Sequence, residues 1–163
     1  MVDILEHRSV IVDRVTHSFS CTVTRDSRAS ATTLFDIVSD GSRWSEWAHP
    51  LIRYSAWETR GPQDDGGVGA IRAVGARQRP TREMTTVHEP GKRHGYTLLG
   101  GGVIRDYNAE VSFEEQPNGT RIEWTGRYNS SSYVAGVAYR LMLRSLFGTF
   151  TKNLAKTAER REG

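Results

Sequence analysis

The stretch VIRDYNAEVSFEEQPNGTRIEWTGRYN, Val103 to Asn129, decides how this chain is read. At its centre stands Gln116-Pro117-Asn118-Gly119. An Asn-Gly pair supplies the positive-φ positions of a tight hairpin, so the flanking runs are predicted to be neighbouring antiparallel strands, Val103 to Glu115 and Thr120 to Asn129.

The same period-two pattern extends upstream. Gly100-Gly101-Gly102 turns the chain back to a strand over His94 to Leu99, and Glu89-Pro90-Gly91-Lys92 reverses it into Arg79 to His88. Gly61 to Gly67 separates two more, Leu51 to Thr59 and Val68 to Val74. Connections this short require antiparallel pairing, because parallel neighbours need long crossovers. Further upstream, Arg14 to Thr24 alternates, with Val15, His17, Phe19, Cys21 and Val23 on one face and Thr or Ser on most of the other. Arg25-Asp26-Ser27-Arg28 reads as its end, and Ser27 or Ser30 can cap a helix over Ala29 to Ser39 with Leu34, Phe35 and Val38 on one stripe. Ser42 to Trp47 reads as a second short helix, closed by His49-Pro50.

Downstream, Ser130-Ser131-Ser132 offers a cap to a long helix from Val134 to about Arg160. Its less polar stripe is read as Val134, Val137, Ala138, Leu141, Met142, Ser145, Leu146, Thr149 and Phe150. The expected fold is therefore α+β: a seven-stranded curved antiparallel sheet around a long C-terminal helix, with two short helices between strands 1 and 2. Residues 1–13 carry weak pattern and are expected to be an N-terminal arm, and 14–163 a single domain. A straight helix meets a bent sheet along a line, and the space beside that line is a natural pocket for an apolar molecule.

Composition narrows the function classes. The chain has 163 residues, enough for one real core, and its four Trp, six Tyr and five Phe are incompatible with disorder. Net charge is +3, with 22 basic against 19 acidic residues scattered along the chain. The basic cluster Lys152, Lys156, Arg160 and Arg161 lies at a helix C-terminus, where cations complement the dipole, so no nucleic-acid partner is expected. Cys21 is the one cysteine, which excludes an internal disulfide and is read as an inert buried thiol. The histidines, His7, His17, His49, His88 and His94, form no ligand-spaced cluster, so neither a metal nor another cofactor is expected. Gly66-Gly67-Val68-Gly69 lacks the Lys and Ser/Thr of a phosphate loop, and no Gly-x-Ser-x-Gly elbow occurs. No apolar run spans a bilayer and residues 1–8 do not read as a signal peptide, so a cytoplasmic protein is the expectation.

The element order and a set of local strings resemble the START-like (SRPBCC) superfamily, in its bacterial polyketide cyclase/dehydrase-like branch. The strings are Leu34 to Asp40 with Trp44-Ser45-Glu46-Trp47, Gly67 to Arg72, Arg82 to Thr85, His88 to Arg93, Arg105-Asp106-Tyr107, and Gly119 to Trp124. The likeness covers roughly residues 14–160. It implies a helix-grip fold with a hydrophobic cavity and transfers no catalytic residue, since the superfamily hosts cyclases, lipid carriers and hormone receptors alike.

Candidate site residues follow from strand parity and aromatic content. Arg105 and Tyr107 are read as sharing a face, as are Arg82, Met84, Thr86 and His88, with Glu83 on the opposite face from Met84 unless a bulge intervenes. Tyr107, Arg105, Glu83 and His88 are the candidates for acid–base work. Trp44, Trp57, Met84, Tyr96, Tyr107, Trp124, Tyr128, Met142 and Leu146 are the candidate cavity lining, and Trp47 an anchor for the short helices. Three functions stay open: binding or transport of a hydrophobic small molecule such as a lipid, polyketide or aromatic metabolite; cofactor-independent cyclisation or dehydration of a polyketide; and a regulatory or interaction module. The chain is expected to be a monomer or homodimer.

Overall fold

A computed structural model describes residues 16–163 apart from Gly101. The expected arm, 1–13, lies outside the described residues. In chain order the elements are β1 (His17–Ser27), α1 (Ala31–Ser39), α2 (Trp44–Trp47), β2 (Tyr54–Thr59), β3 (Ile71–Ala76), β4 (Arg79–Glu89), β5 (Arg93–Leu99), β6 (Ile104–Gln116), β7 (Gly119–Ser130) and α3 (Tyr133–Glu162). The strands form one antiparallel sheet in the order β1-β7-β6-β5-β4-β3-β2. Its concave face holds α3, so the architecture is the helix-grip fold expected from the sequence.

The hairpin that opened the reading forms one of the two longest ladders. β6 and β7 pair from Gln116↔Gly119 back to Ile104↔Ser130, and Gly119 takes φ 140 at the turn. No side chain fits there, because a Cβ on Gly119 would meet the Ser27 carbonyl oxygen. β1 then pairs with β7 without interruption, from His17↔Ser130 to Ser27↔Thr120. Arg25, Asp26 and Ser27 were expected to break β1 and instead belong to it. β7 offers them ladder partners, and Arg121 Nε donates to Asp26 across the pair at 3.1 Å.

Ser30 caps α1 through its hydroxyl, which accepts from the Thr33 amide, and Ser132 does the same for α3 through Ala135. The far end of α3 is tied to the start of α1. Glu159 accepts from the Ser27 hydroxyl and the Arg28 amide, and Glu162 from the Ser30 hydroxyl. Those donors hold both carboxyl groups below their usual range.

The buried stripe of α3 is not the one read from the sequence. Gly136, Leu143, Phe147, Phe150, Thr151, Leu154, Ala155 and Ala158 face the sheet, and of the expected residues Phe150 alone is fully buried. Val134 and Leu141 point outward, 78% and 63% exposed. The helix follows its small residues inward because they permit close approach. At Gly136 an added Cβ would lie 2.1 Å from the Phe19 ring.

Trp44 sits where α2, α3 and the sheet converge. Its indole N–H donates to the Val38 carbonyl at 2.8 Å, and its ring meets Trp47, Tyr96, Trp124 and Phe150 with centroids 4.7–6.1 Å apart. Trp47 packs on Phe150 as well and anchors α2 against α3. Such edge contacts contribute about 0.5–1.5 kcal/mol each beyond area burial, and here they lock the short helices over one end of the sheet.

Candidate functional site

A cavity of about 230 Å³ lies between α3 and strands β3 to β6. Ile52, Val74, Leu98, Leu143, Leu146 and Phe150 make most of its wall, with Trp44, Tyr96, Tyr107 and Tyr139 as rings and Glu83 as a carboxylate. A wider recess of about 750 Å³ adjoins it, bordered by Gly100, Gly102, Val103, Arg105 and Asp106. Thr81, Leu98, Tyr107 and Tyr139 line both spaces and stand at the boundary, the neck, where the two adjoin.

Two bulges aim the side chains. On β6 the register shifts between Arg105 and Asn108, where Asp106 takes φ 52 and accepts from Asn129 at 2.9 Å. The extra residue turns Tyr107 inward while Arg105 stays exposed at the rim of the recess. Arg105 and Tyr107 therefore do not share a face, contrary to the reading from alternation. On β4 the register shifts between Thr85 and Val87. Before the shift Glu83 faces inward, opposite Leu98. After it His88 does, opposite His94. Arg82, Met84, Thr86 and His88 thus do not form one face either.

Behind the cavity wall stands Arg72, which the sequence reading did not single out. Its side chain is 3% exposed and pairs with Glu83 Oε2, through Nη2 at 2.7 Å and Nε at 2.8 Å. Its guanidinium lies in the corner formed by two rings set nearly at right angles, 3.8 Å from the centre of Trp44 and 4.5 Å from that of Tyr96. Cation–π contact and the carboxylate together offset part of the loss of hydration, while Nη1 and Nη2 are buried without a hydrogen-bond partner among the described residues.

The neighbouring tyrosines are hard to ionise. Burial, then the charge of Glu83, pushes Tyr96 far up, with Arg72 and the adjoining Trp124 and Tyr107 side chains acting against it. Tyr107 is raised by burial, then by Tyr96 and Glu83, and Tyr139 by burial, then by Tyr128 and Glu83. All three remain hydroxyls that can donate or accept. His94 lies deeper, 1% exposed, beside Phe35, His88 and Tyr96, and neither ring nitrogen has a hydrogen-bond partner. Burial, then Arg72, then His88, hold it well below the usual histidine range.

Residues 18–160 match the family described as polyketide cyclase / dehydrase and lipid transport. The chain belongs to that family. Several solved structures share the fold at low identity. The di-domain ARO/CYC StfQ from the steffimycin biosynthetic pathway superposes with a TM-score of 0.71 at 12% identity, over 92% of this chain and 53% of that one. The di-domain ARO/CYC BexL from the BE-7585A pathway gives 0.65 at 17%, over 88% and 49%. This chain therefore spans about half the length of those two proteins. Norcoclaurine synthase from Thalictrum flavum, solved with dopamine and hydroxybenzaldehyde, gives 0.71 at 15%, over 98% and 97%. No curated protein matches the sequence.

Within this cyclase/dehydrase family member, five of the nine candidate lining residues border the inner cavity: Trp44, Tyr96, Tyr107, Met142 and Leu146. The other four lie elsewhere. Trp57 packs over Gly41 and Gly66, and Met84 faces away from Glu83. Trp124 stacks on Phe147 in the core, and Tyr128 stacks on Phe19 and donates to the Gly136 carbonyl at 2.6 Å. Of the acid–base candidates, Tyr107 and Glu83 border the cavity, Arg105 borders the outer recess, and His88 packs on Phe35 under α1. Thr81, Leu98 and Tyr139 are additions. Tyr139 was legible as the residue three before Met142 on the same helix. Among the described residues no group of three His, Cys, Asp or Glu could hold a metal, and no helix is long and apolar enough to cross a membrane.

Proposed function

We propose that the chain binds a mostly apolar small molecule of polyketide or aromatic type in the cavity beneath α3, with entry through the adjoining recess. One observation carries this reading: a void walled by aliphatic and aromatic side chains, holding few polar groups, that shares four lining residues with a wider recess. The tyrosine hydroxyls and Glu83 give orientation, and the walls give affinity. The test is calorimetric titration and thermal shift with 2-naphthol, 1,8-dihydroxyanthraquinone and palmitate, with native mass spectrometry of the purified protein for a retained molecule. Saturable binding at one site with a raised Tm supports it. No binding and no retained molecule overturns it.

A second reading, cyclisation or dehydration of a poly-β-ketone, is favoured by Glu83 and Tyr107 bordering one space. Glu83 would accept a proton from a methylene between two carbonyls, and Tyr107 would donate to the enolate oxygen that forms. Turnover of a short poly-β-ketone that collapses in Tyr107→Phe and in the folded double variant Arg72→Met with Glu83→Gln supports this reading, and unchanged products in both variants remove it.

A further inference from the structure

We infer that Glu83 makes this cavity selective for ligands that bring a hydrogen-bond donor, an aromatic hydroxyl above all, and closes it to carboxylates such as fatty acids. The inference rests on the cavity being the ligand site. Among the described residues bordering the inner cavity, Glu83 alone carries a charge. Its cationic partner does not border that space: Arg72 is buried behind the wall in the corner between Trp44 and Tyr96, where Nε donates to Oε2 and Nη2 lies 2.7 Å from the same oxygen. The other carboxylate oxygen, Oε1, takes no hydrogen bond from the described residues. The site therefore offers an incoming molecule an acceptor with negative charge and no free cation.

A hydroxyl meeting Oε1 forms a charge-assisted hydrogen bond, about twice as strong as a neutral one. A carboxylate entering the same space meets a like charge in a poorly solvated setting and has nothing to pair with. Arg105, on the outer recess, is exposed and lies beyond the neck, so a carboxylate finds its cation only by staying outside. Tyr96, Tyr107 and Tyr139 do not reverse this preference. Their ionisation is already opposed by Glu83, and as hydroxyls they serve a phenol as well as an acid.

The experiment titrates the full chain at neutral pH with 2-naphthol, 2-naphthoate and 2-methoxynaphthalene, which share one ring system. The wild type is expected to bind 2-naphthol about tenfold or more tightly than 2-naphthoate. The preference is expected to fall to about threefold or less in the double variant Arg72→Met with Glu83→Gln. The double change is used because removing Glu83 alone strands a buried guanidinium. Equal affinities in the wild type, or tighter binding of the naphthoate, overturn the selectivity while binding in the cavity stands. A preference unchanged in a folded double variant overturns the role of Glu83. Failure of all three compounds to bind overturns both the selectivity and the cavity reading beneath it.

Discussion

Arg72 holds its guanidinium carbon 3.8 Å from the centre of the Trp44 ring, which places a cation inside the aromatic core and not at its edge. Its charge is tolerable there because Glu83 Oε2 lies 2.7 Å away. Breaking a buried pair leaves one charge uncompensated, at a cost of about 3–5 kcal/mol. Arg72→Met is expected to lower unfolding stability in urea by that amount, and the double variant with Glu83→Gln to recover much of it, since no orphan charge remains. A double variant as unstable as Arg72→Met alone would show that stacking on Trp44, not the pairing, fixes the residue. Arg72→Lys is expected to fall short of wild type as well, because an ammonium cannot stack on the ring while bonding the carboxylate in the same fork.

The sequence made the layers legible and left the aim of the side chains hidden. The hairpin at Asn118-Gly119, the helical stripe in α1 and the long run after Ser132 each carry a local signal, and together they define the sheet and its helix. The bulges at Thr86 and Asp106 carry no comparable signal, yet each reverses the alternation from which inward faces were read. That is why Glu83 and Tyr107 reach the cavity, while Met84 turns away from it and Arg105 stays exposed at the recess rim. The pairing of Arg72 with Glu83 was accessible in principle. They stand opposite each other across the hairpin that turns between Ala76 and Arg79, but an arginine in a strand reads as solvent-facing until the register is known. The phase of α3 was missed for a different reason. Apolar residues occur all round its first half, and the small residues, which do not stand out by hydropathy, decide which side approaches the sheet.

That helix offers its own test through two glycines. Gly136 lies against Phe19, so a Cβ would meet the ring at 2.1 Å, whereas a Cβ at Gly148 meets nothing within 4 Å. Gly148→Ala is expected to stabilise the protein by up to about 1 kcal/mol through helix propensity alone. Gly136→Ala gains the same propensity but displaces Phe19 from its stack on Tyr128, an overpacking cost of about 1–3 kcal/mol. Opposite signs in chemical denaturation are the expected result. Stabilisation by both substitutions would mean that the Phe19 ring yields freely.

Acid should act on His94. Arg72 faces it from β3, His88 from β4 and Phe35 from α1, with Tyr96 beside it on β5. Burial and the neighbouring cation depress its folded pKa below the unfolded value of about 6.5. Below that pH the unfolded chain takes up a proton that the folded chain refuses. Stability is therefore fully present above about pH 6.5 and falls by about 1.4 kcal/mol per pH unit beneath it, until the folded pKa is reached. Unfolding curves between pH 7 and pH 5 should show this slope in the wild type and a shallower one, by about one proton, in His94→Leu. Parallel slopes in the two proteins would place the acid sensitivity elsewhere.

The neck decides whether the inner cavity is reached from the outer recess. Thr81 borders both spaces, is exposed, and pairs with Val74 in the ladder between β3 and β4. An aromatic residue suits a strand position of this kind, so Thr81→Trp should leave the fold intact while its ring occupies the passage. Thermal unfolding is expected to be nearly unchanged. Association of 2-naphthol is expected to slow about tenfold, the equivalent of about 1.4 kcal/mol in the entry barrier, with its dissociation constant little changed. Association and dissociation slowed by the same factor would identify the neck as the route of entry, because a plug that leaves the bound pose alone raises one barrier that is crossed in both directions. Binding that is no slower in Thr81→Trp would mean that ligands reach the space beneath α3 by another path.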